Sequence, residues 1–128
     1  MNKRLGNQTI KVSNPPKITA SASITGPKEG EGPLGIYFDT IIEDELWGEK
    51  SWEKAESKLI KEVYTILNKK FGKDQGDINF IISGDLMNQC ISSTFGLRES
   101  EIPIIGIYGA CSTIAEGIGL GAMLVDGG

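Results

Sequence analysis

Cys111, in the run Gly109-Ala110-Cys111-Ser112-Thr113, is the side chain of this sequence best suited to chemistry. It follows the apolar run Ile104-Ile105-Gly106-Ile107-Tyr108 and precedes a stretch of small residues, so it falls at a turn between a strand and a helix. Free backbone N–H groups of a first helical turn and the positive end of its dipole favour an anion there, a thiolate included. Ser112 and Thr113 add hydroxyl donors. The plainer reading stands beside this one: a free cysteine is commonly a small apolar filler next to a tight turn. Histidine is absent from the chain, so no Cys-His or Ser-His pair forms within it, and two thiols alone do not complete a four-ligand zinc site.

A second polar group follows another apolar run. Gly84-Asp85-Leu86-Met87-Asn88-Gln89 comes after Ile82, at what reads as the carboxyl end of a strand near the same crevice. Asp85 is a site residue or a helix cap, and Asn88 and Gln89 are ligand-binding candidates or ordinary surface amides. Cys90 reads as core within an amphipathic segment, and Glu43-Asp44-Glu45 as a solvated face.

These residues need elements to position them. From Trp52 to Phe71 apolar residues recur at three- and four-residue spacing, which predicts a helix capped by Ser51 and ended by Gly72. The runs 78–82 and 104–108 predict parallel strands joined through a helix over 86–95. Short strands are expected over 9–12 and 18–24, and loop over 25–35, where glycine and proline recur. The segment 111–125 predicts a helix. Its interior glycines cost roughly 3 kcal/mol in propensity, so it is expected to be a closely packed, buried central helix.

The chain has 128 residues, is 39% hydrophobic and carries a formal charge of -4. That suits one α/β domain, 1–128, with a mixed, mostly parallel sheet. The acidic balance, with both signs interspersed, argues against a general nucleic-acid surface. Two cysteines without repeated spacing, and a start without signal-peptide pattern, point to a reducing compartment. Residues 102–125 have the length of a membrane span, but five glycines, Pro103 and a central Glu116 oppose that, the charge alone costing roughly 2.5–3.5 kcal/mol.

Several stretches, in one order, carry a resemblance: Gly26-Pro27-Lys28-Glu29, Gly32-Pro33-Leu34-Gly35, Phe38-Asp39, Trp52-Glu53-Lys54-Ala55-Glu56, Gly84-Asp85-Leu86-Met87-Asn88-Gln89, Gly109-Ala110-Cys111-Ser112-Thr113 and Asp126-Gly127-Gly128. The whole chain resembles the amino-terminal part of the stage V sporulation protein AD family of spore-forming Firmicutes. That family is similar to thiolases and ketoacyl synthases, so the resemblance implies a thiolase-like fold of layered α/β/α/β/α type, of which this chain is the first half. Cys111 then matches the nucleophile position, while the enzymes' histidine or asparagine partners belong to the second half.

The resemblance implies a non-catalytic sporulation protein that binds dipicolinic acid (pyridine-2,6-dicarboxylate), as the free acid or its calcium chelate, for uptake into the developing spore. The alternative is a thiol-dependent acyltransferase working through Cys111. Expected ligand-binding residues are Cys111, Ser112, Thr113, Asn88 and Gln89, with no resident metal or cofactor. Expected partners are other proteins of the SpoVA apparatus and further copies of the chain, with peripheral attachment to the spore inner membrane through those partners. Half of such a fold leaves an apolar face and a sheet edge uncovered. Self-association is therefore predicted: light scattering should report species heavier than the 13.8 kDa chain, and a sharply two-state monomer would contradict it.

Overall fold

The computed structural model describes residues 3–72 and 74–128. The elements are β1 (Arg4–Leu5), β2 (Thr9–Ile10), β3 (Ile24–Thr25), α1 (Pro27–Gly30), β4 (Thr40–Ile41), α2 (Trp52–Phe71), β5 (Ile81–Ser83), α3 (Ile91–Leu97), β6 (Ile104–Gly106) and α4 (Thr113–Gly127). The protein is a mixed α/β structure.

Helix α2 matches its expected bounds residue for residue. The Ser51 hydroxyl accepts from Lys54 N at 3.4 Å, and Gly72, at φ 66°, donates its N–H to the Asn68 carbonyl. Gly72 ends the helix because it enters the left-handed region without a Cβ clash. Helix α3 crosses α2 closely: a Cβ on Gly96 would lie 2.7 Å from the Ser57 carbonyl oxygen. Ala55 and Leu97 are buried at this crossing, where Ser92 and Ser93 are also enclosed.

The strands β5 and β6 pair in parallel, Ile81 opposite Ile104 and Ser83 opposite Gly106, as the crossover pattern predicts. Instead of one sheet, the described residues contain three two-stranded pairs. β1 and β2 form an antiparallel hairpin, and β3 pairs in parallel with β4. The strand expected over 18–24 is present only as Ile24–Thr25, because polar groups before it bond elsewhere: Lys70 Nζ donates to the Ser21 carbonyl and Ser23 N to Asp39. The 9–12 strand shrinks to Thr9–Ile10. The glycine-rich segment expected as loop contains the short helix α1 and a 3-10 turn at Gly35–Tyr37.

Two helices also differ from expectation. Over 86–95 helix begins only at Ile91, since Gln89 and Cys90 take positive φ angles of 50° and 72°. Helix α4 is not buried: its glycines Gly117 and Gly121 approach Ile82, but Ile114 and Ile118 on other sides are 71% and 60% exposed. Among the described residues Ile82 of β5 and Ile107, just after β6, lie against its glycines, which leaves an apolar helix covered on one side along most of its length. The total accessible surface, 9250 Å², exceeds the about 6,600 Å² expected for a folded monomer of this mass. No described helix is long and apolar enough to cross a membrane.

The amino-terminal hairpin is tied to the end of α4 by Asp126. That carboxylate pairs with Lys3 Nζ at 2.6 Å and accepts from Asn14 N at 2.8 Å and Ser13 N at 3.3 Å. The Lys3 ammonium first, then these amides, lower its pKa from 3.8 to about 2. A folded pKa below the unfolded one stabilises above the unfolded value and is lost as pH falls. We expect Asp126→Asn to speed trypsin cleavage after Arg4 and Lys11 at pH 7. The stability difference between the two proteins in denaturant should be full at pH 5 and should close between pH 3.8 and about 2.

Candidate functional site

The turn after β6 is built from short-range bonds. Ile107 N donates to the Ser83 carbonyl at 3.0 Å and continues the β5–β6 pairing by one rung. The backbone then coils through a 3-10 turn at Ala110–Ser112, with Ala110 in the left-handed region at φ 49°, before α4 begins. Gly109 N donates to the Thr113 hydroxyl at 3.1 Å. A Cβ at Gly84 would lie 2.3 Å from the Ile107 carbonyl oxygen and 2.6 Å from Thr113 Cγ2, so only glycine lets the end of β5 lie against this turn.

Beside the turn opens a mainly apolar cleft of about 640 Å³. Cys111, Thr113 and Ile114 line one side, Ile82 and Ile107 its floor, and Glu56 of α2 the other side. The thiol-bearing residue is exposed. Cys111 and Thr113 thus come together as the sequence suggested, at the carboxyl ends of two parallel strands.

Ser112 does not line this cleft. Its hydroxyl donates to the Gly109 carbonyl at 2.7 Å and lies 2.5 Å from Glu116 Oε1; one hydroxyl hydrogen serves these two acceptors by turns. The carboxylate at the start of α4 is therefore the chain's own, supplied by Glu116, where dipole and donors favour negative charge. Asn88 also lies outside the cleft: its amide donates to Glu53 Oε1 at 3.1 Å. The Glu53 backbone amide first, then the Ser51 hydroxyl and Asn88, hold the Glu53 carboxyl below its ordinary pKa. Gln89 is exposed and outside the cleft, in the left-handed turn.

Asp85 is a cap. Only 6% exposed, it accepts from Cys90 N at 3.1 Å and Ser93 N at 2.8 Å, so both oxygens are spent on the start of α3. Cys90 is half-buried, and its thiol donates to the Ile107 carbonyl at 3.3 Å. Sequence reasoning passed over Glu56. One of its oxygens accepts from Leu86 N at 3.1 Å and the other is buried without a partner. Its spacing gave a signal: Glu56, Ile60 and Val63 recur at i, i+4 and i+7, an acid in line with an apolar stripe. Among the described residues no group of three or more His, Cys, Asp or Glu is placed to hold a metal ion.

Comparison with known proteins gives the chain its relatives. The sequence model of the stage V sporulation protein AD family matches residues 6–128. The chain is similar to stage V sporulation protein AD of Bacillus subtilis (strain 168), with 35% identity over 126 residues, 98% of this chain and 37% of that relative. It therefore spans little more than a third of the length of that relative.

Because both Asp85 oxygens hold backbone amides that no other described group bonds, Asp85→Ala is expected to lower stability by about 1–3 kcal/mol, read from urea denaturation at fixed protein concentration. Asn88→Ala, removing one bond to a solvated carboxylate, should cost about 1 kcal/mol or less.

Proposed function

Since the chain belongs to the stage V sporulation protein AD family, whose members are sporulation proteins, we propose that its cleft binds dipicolinic acid, pyridine-2,6-dicarboxylate, without catalysis, for uptake into the developing spore. In this reading the chain is the first half of a thiolase-like layered fold. It works with other proteins of the SpoVA apparatus and with further copies of itself at the spore inner membrane.

The observation that carries the reading is the apolar cleft beside the Cys111 turn. Its volume of about 640 Å³ suits a small molecule, and isoleucine walls suit a flat aromatic ring. Thr113 and the Cys111 thiol supply polar contacts at its rim. The Glu56 carboxylate on the opposite side and Glu116 at the start of α4 disfavour a bare dianion. The calcium chelate, in which the ion offsets both ligand carboxylates, fits that electrostatic setting better.

A second reading has its own support: the exposed Cys111 at the cleft suits a thiol nucleophile for acyl transfer. Calorimetric titration with dipicolinate, with and without calcium, and mass spectrometry after incubation with acyl-CoA separate the two. Saturable binding strengthened by calcium, kept in Cys111→Ser and weakened more than about tenfold in Ile114→Asp, is the expected outcome. A stable thioester on Cys111 without dipicolinate binding would replace the binding role with acyl transfer.

A further inference from the structure

Charge is segregated along this chain in a way its overall balance hides. Five of the 13 Lys and Arg residues, Lys3, Arg4, Lys11, Lys17 and Lys28, precede Glu29, and none of the 17 Asp and Glu residues does. Beyond Glu29 the two signs are interspersed. The fold gathers the first three cations onto the β1–β2 hairpin, whose strand residues are all exposed; one of them, Lys3, is paired with Asp126.

The hairpin's register sets what each side presents. Arg4 lies opposite Ile10 and Leu5 opposite Thr9, with Lys11 N bonded to the Lys3 carbonyl. Alternation along the strands then places Lys3, Leu5, Thr9 and Lys11 on one face, and Arg4 with Ile10 on the other. Leu5 is 52% and Ile10 53% exposed, and Ile18, one residue from Lys17, is 85% exposed. A concavity of about 410 Å³ on the hairpin is lined by Lys3, Arg4, Asn7, Gln8 and Ile10. Cationic and amide donors beside an aliphatic side chain match a phosphate headgroup above an acyl chain.

We propose that the basic, partly apolar amino-terminal segment, namely the hairpin Lys3–Lys11 and the exposed Lys17 and Ile18 that follow it in the chain, docks on an anionic lipid bilayer. It gives the chain a direct contact with membrane beyond any made through partner proteins, and it is independent of the cleft. Electrostatic attraction to anionic headgroups brings the cations to the surface, and the two-stranded hairpin meets the headgroups edge-on, so that Leu5 on one face and Ile10 on the other both leave water, with the exposed Ile18 following. Nucleic acid is the poorer fit, since the first aromatic residue is Tyr37, so no ring on the hairpin stacks on bases, while the exposed aliphatic side chains gain nothing from a phosphate backbone.

The test is flotation of the chain with vesicles of phosphatidylcholine alone or mixed with phosphatidylglycerol. Flotation is expected only with phosphatidylglycerol and should be lost in high salt. Lys11→Gln and Lys17→Gln should each weaken it about fivefold, and Ile10→Ser should weaken it too, whereas Lys69→Gln, an equal charge change on α2, should not. These lysines are exposed, so far-ultraviolet circular dichroism should be unchanged. Equal flotation with both vesicles, none with either, loss on adding millimolar inorganic phosphate at constant ionic strength, or tighter binding to duplex DNA than to vesicles would each overturn the proposal.

Discussion

Polar groups of α2 reach several of the segments around it, and the arrangement of one side of the cleft depends on them. Glu53 holds Asn88, and its carbonyl accepts from the Ser92 hydroxyl; Glu56 holds the Leu86 amide; Lys58 lies 4.7 Å above the Trp47 ring and bonds its carbonyl; Lys70 pairs with Asp39 at 2.5 Å. That pair, with Ser23 N as second cause, holds the Asp39 carboxyl below its usual pKa. Such bonds matter because, among the described residues, few apolar side chains are buried: Ile42, Ala55 and Leu97. Where little apolar area leaves water, position is set by directed bonds, each worth about 1 kcal/mol, from one rigid helix.

How far the sequence was legible follows from the range of the forces involved. Helix α2 announces itself through a local period over its own 20 residues and through a cap and a terminating glycine immediately beside them. The parallel pairing of β5 and β6 was legible because two apolar runs flanked a span long enough for a crossover. Helix α3 starts late for a reason that periodicity does not encode, namely that Asp85 draws the amides of Cys90 and Ser93 toward one carboxylate. The fate of residues 18–23 rests on Lys70, 49 residues from Ser21.

The site divides in the same way. A turn between β6 and α4 bearing Cys111 was readable from residue types, and so was its place at the strand ends. That Ser112 faces Glu116, four residues on, while Thr113 faces the cleft depends on the rotation of one 3-10 turn, set by the left-handed Ala110. Glu56 went unnoticed because an acid on a charged helix looks solvated until the opposing segment is placed. The expectation of a buried α4 came from its glycines, yet close approach through Gly117 and Gly121 concerns one side of the helix alone.

The bond between Lys3 and Asp126 joins residues 123 positions apart. In an unstructured chain, closing a loop of that length costs roughly 4 kcal/mol of chain entropy before any contact repays it. Once α2, α3 and the β5–β6 pair have formed, the end of α4 already stands near its place and most of that cost has been met by other contacts. The ion pair therefore belongs late in the folding reaction. Its loss should accelerate unfolding while leaving the rate of collapse of the body almost untouched.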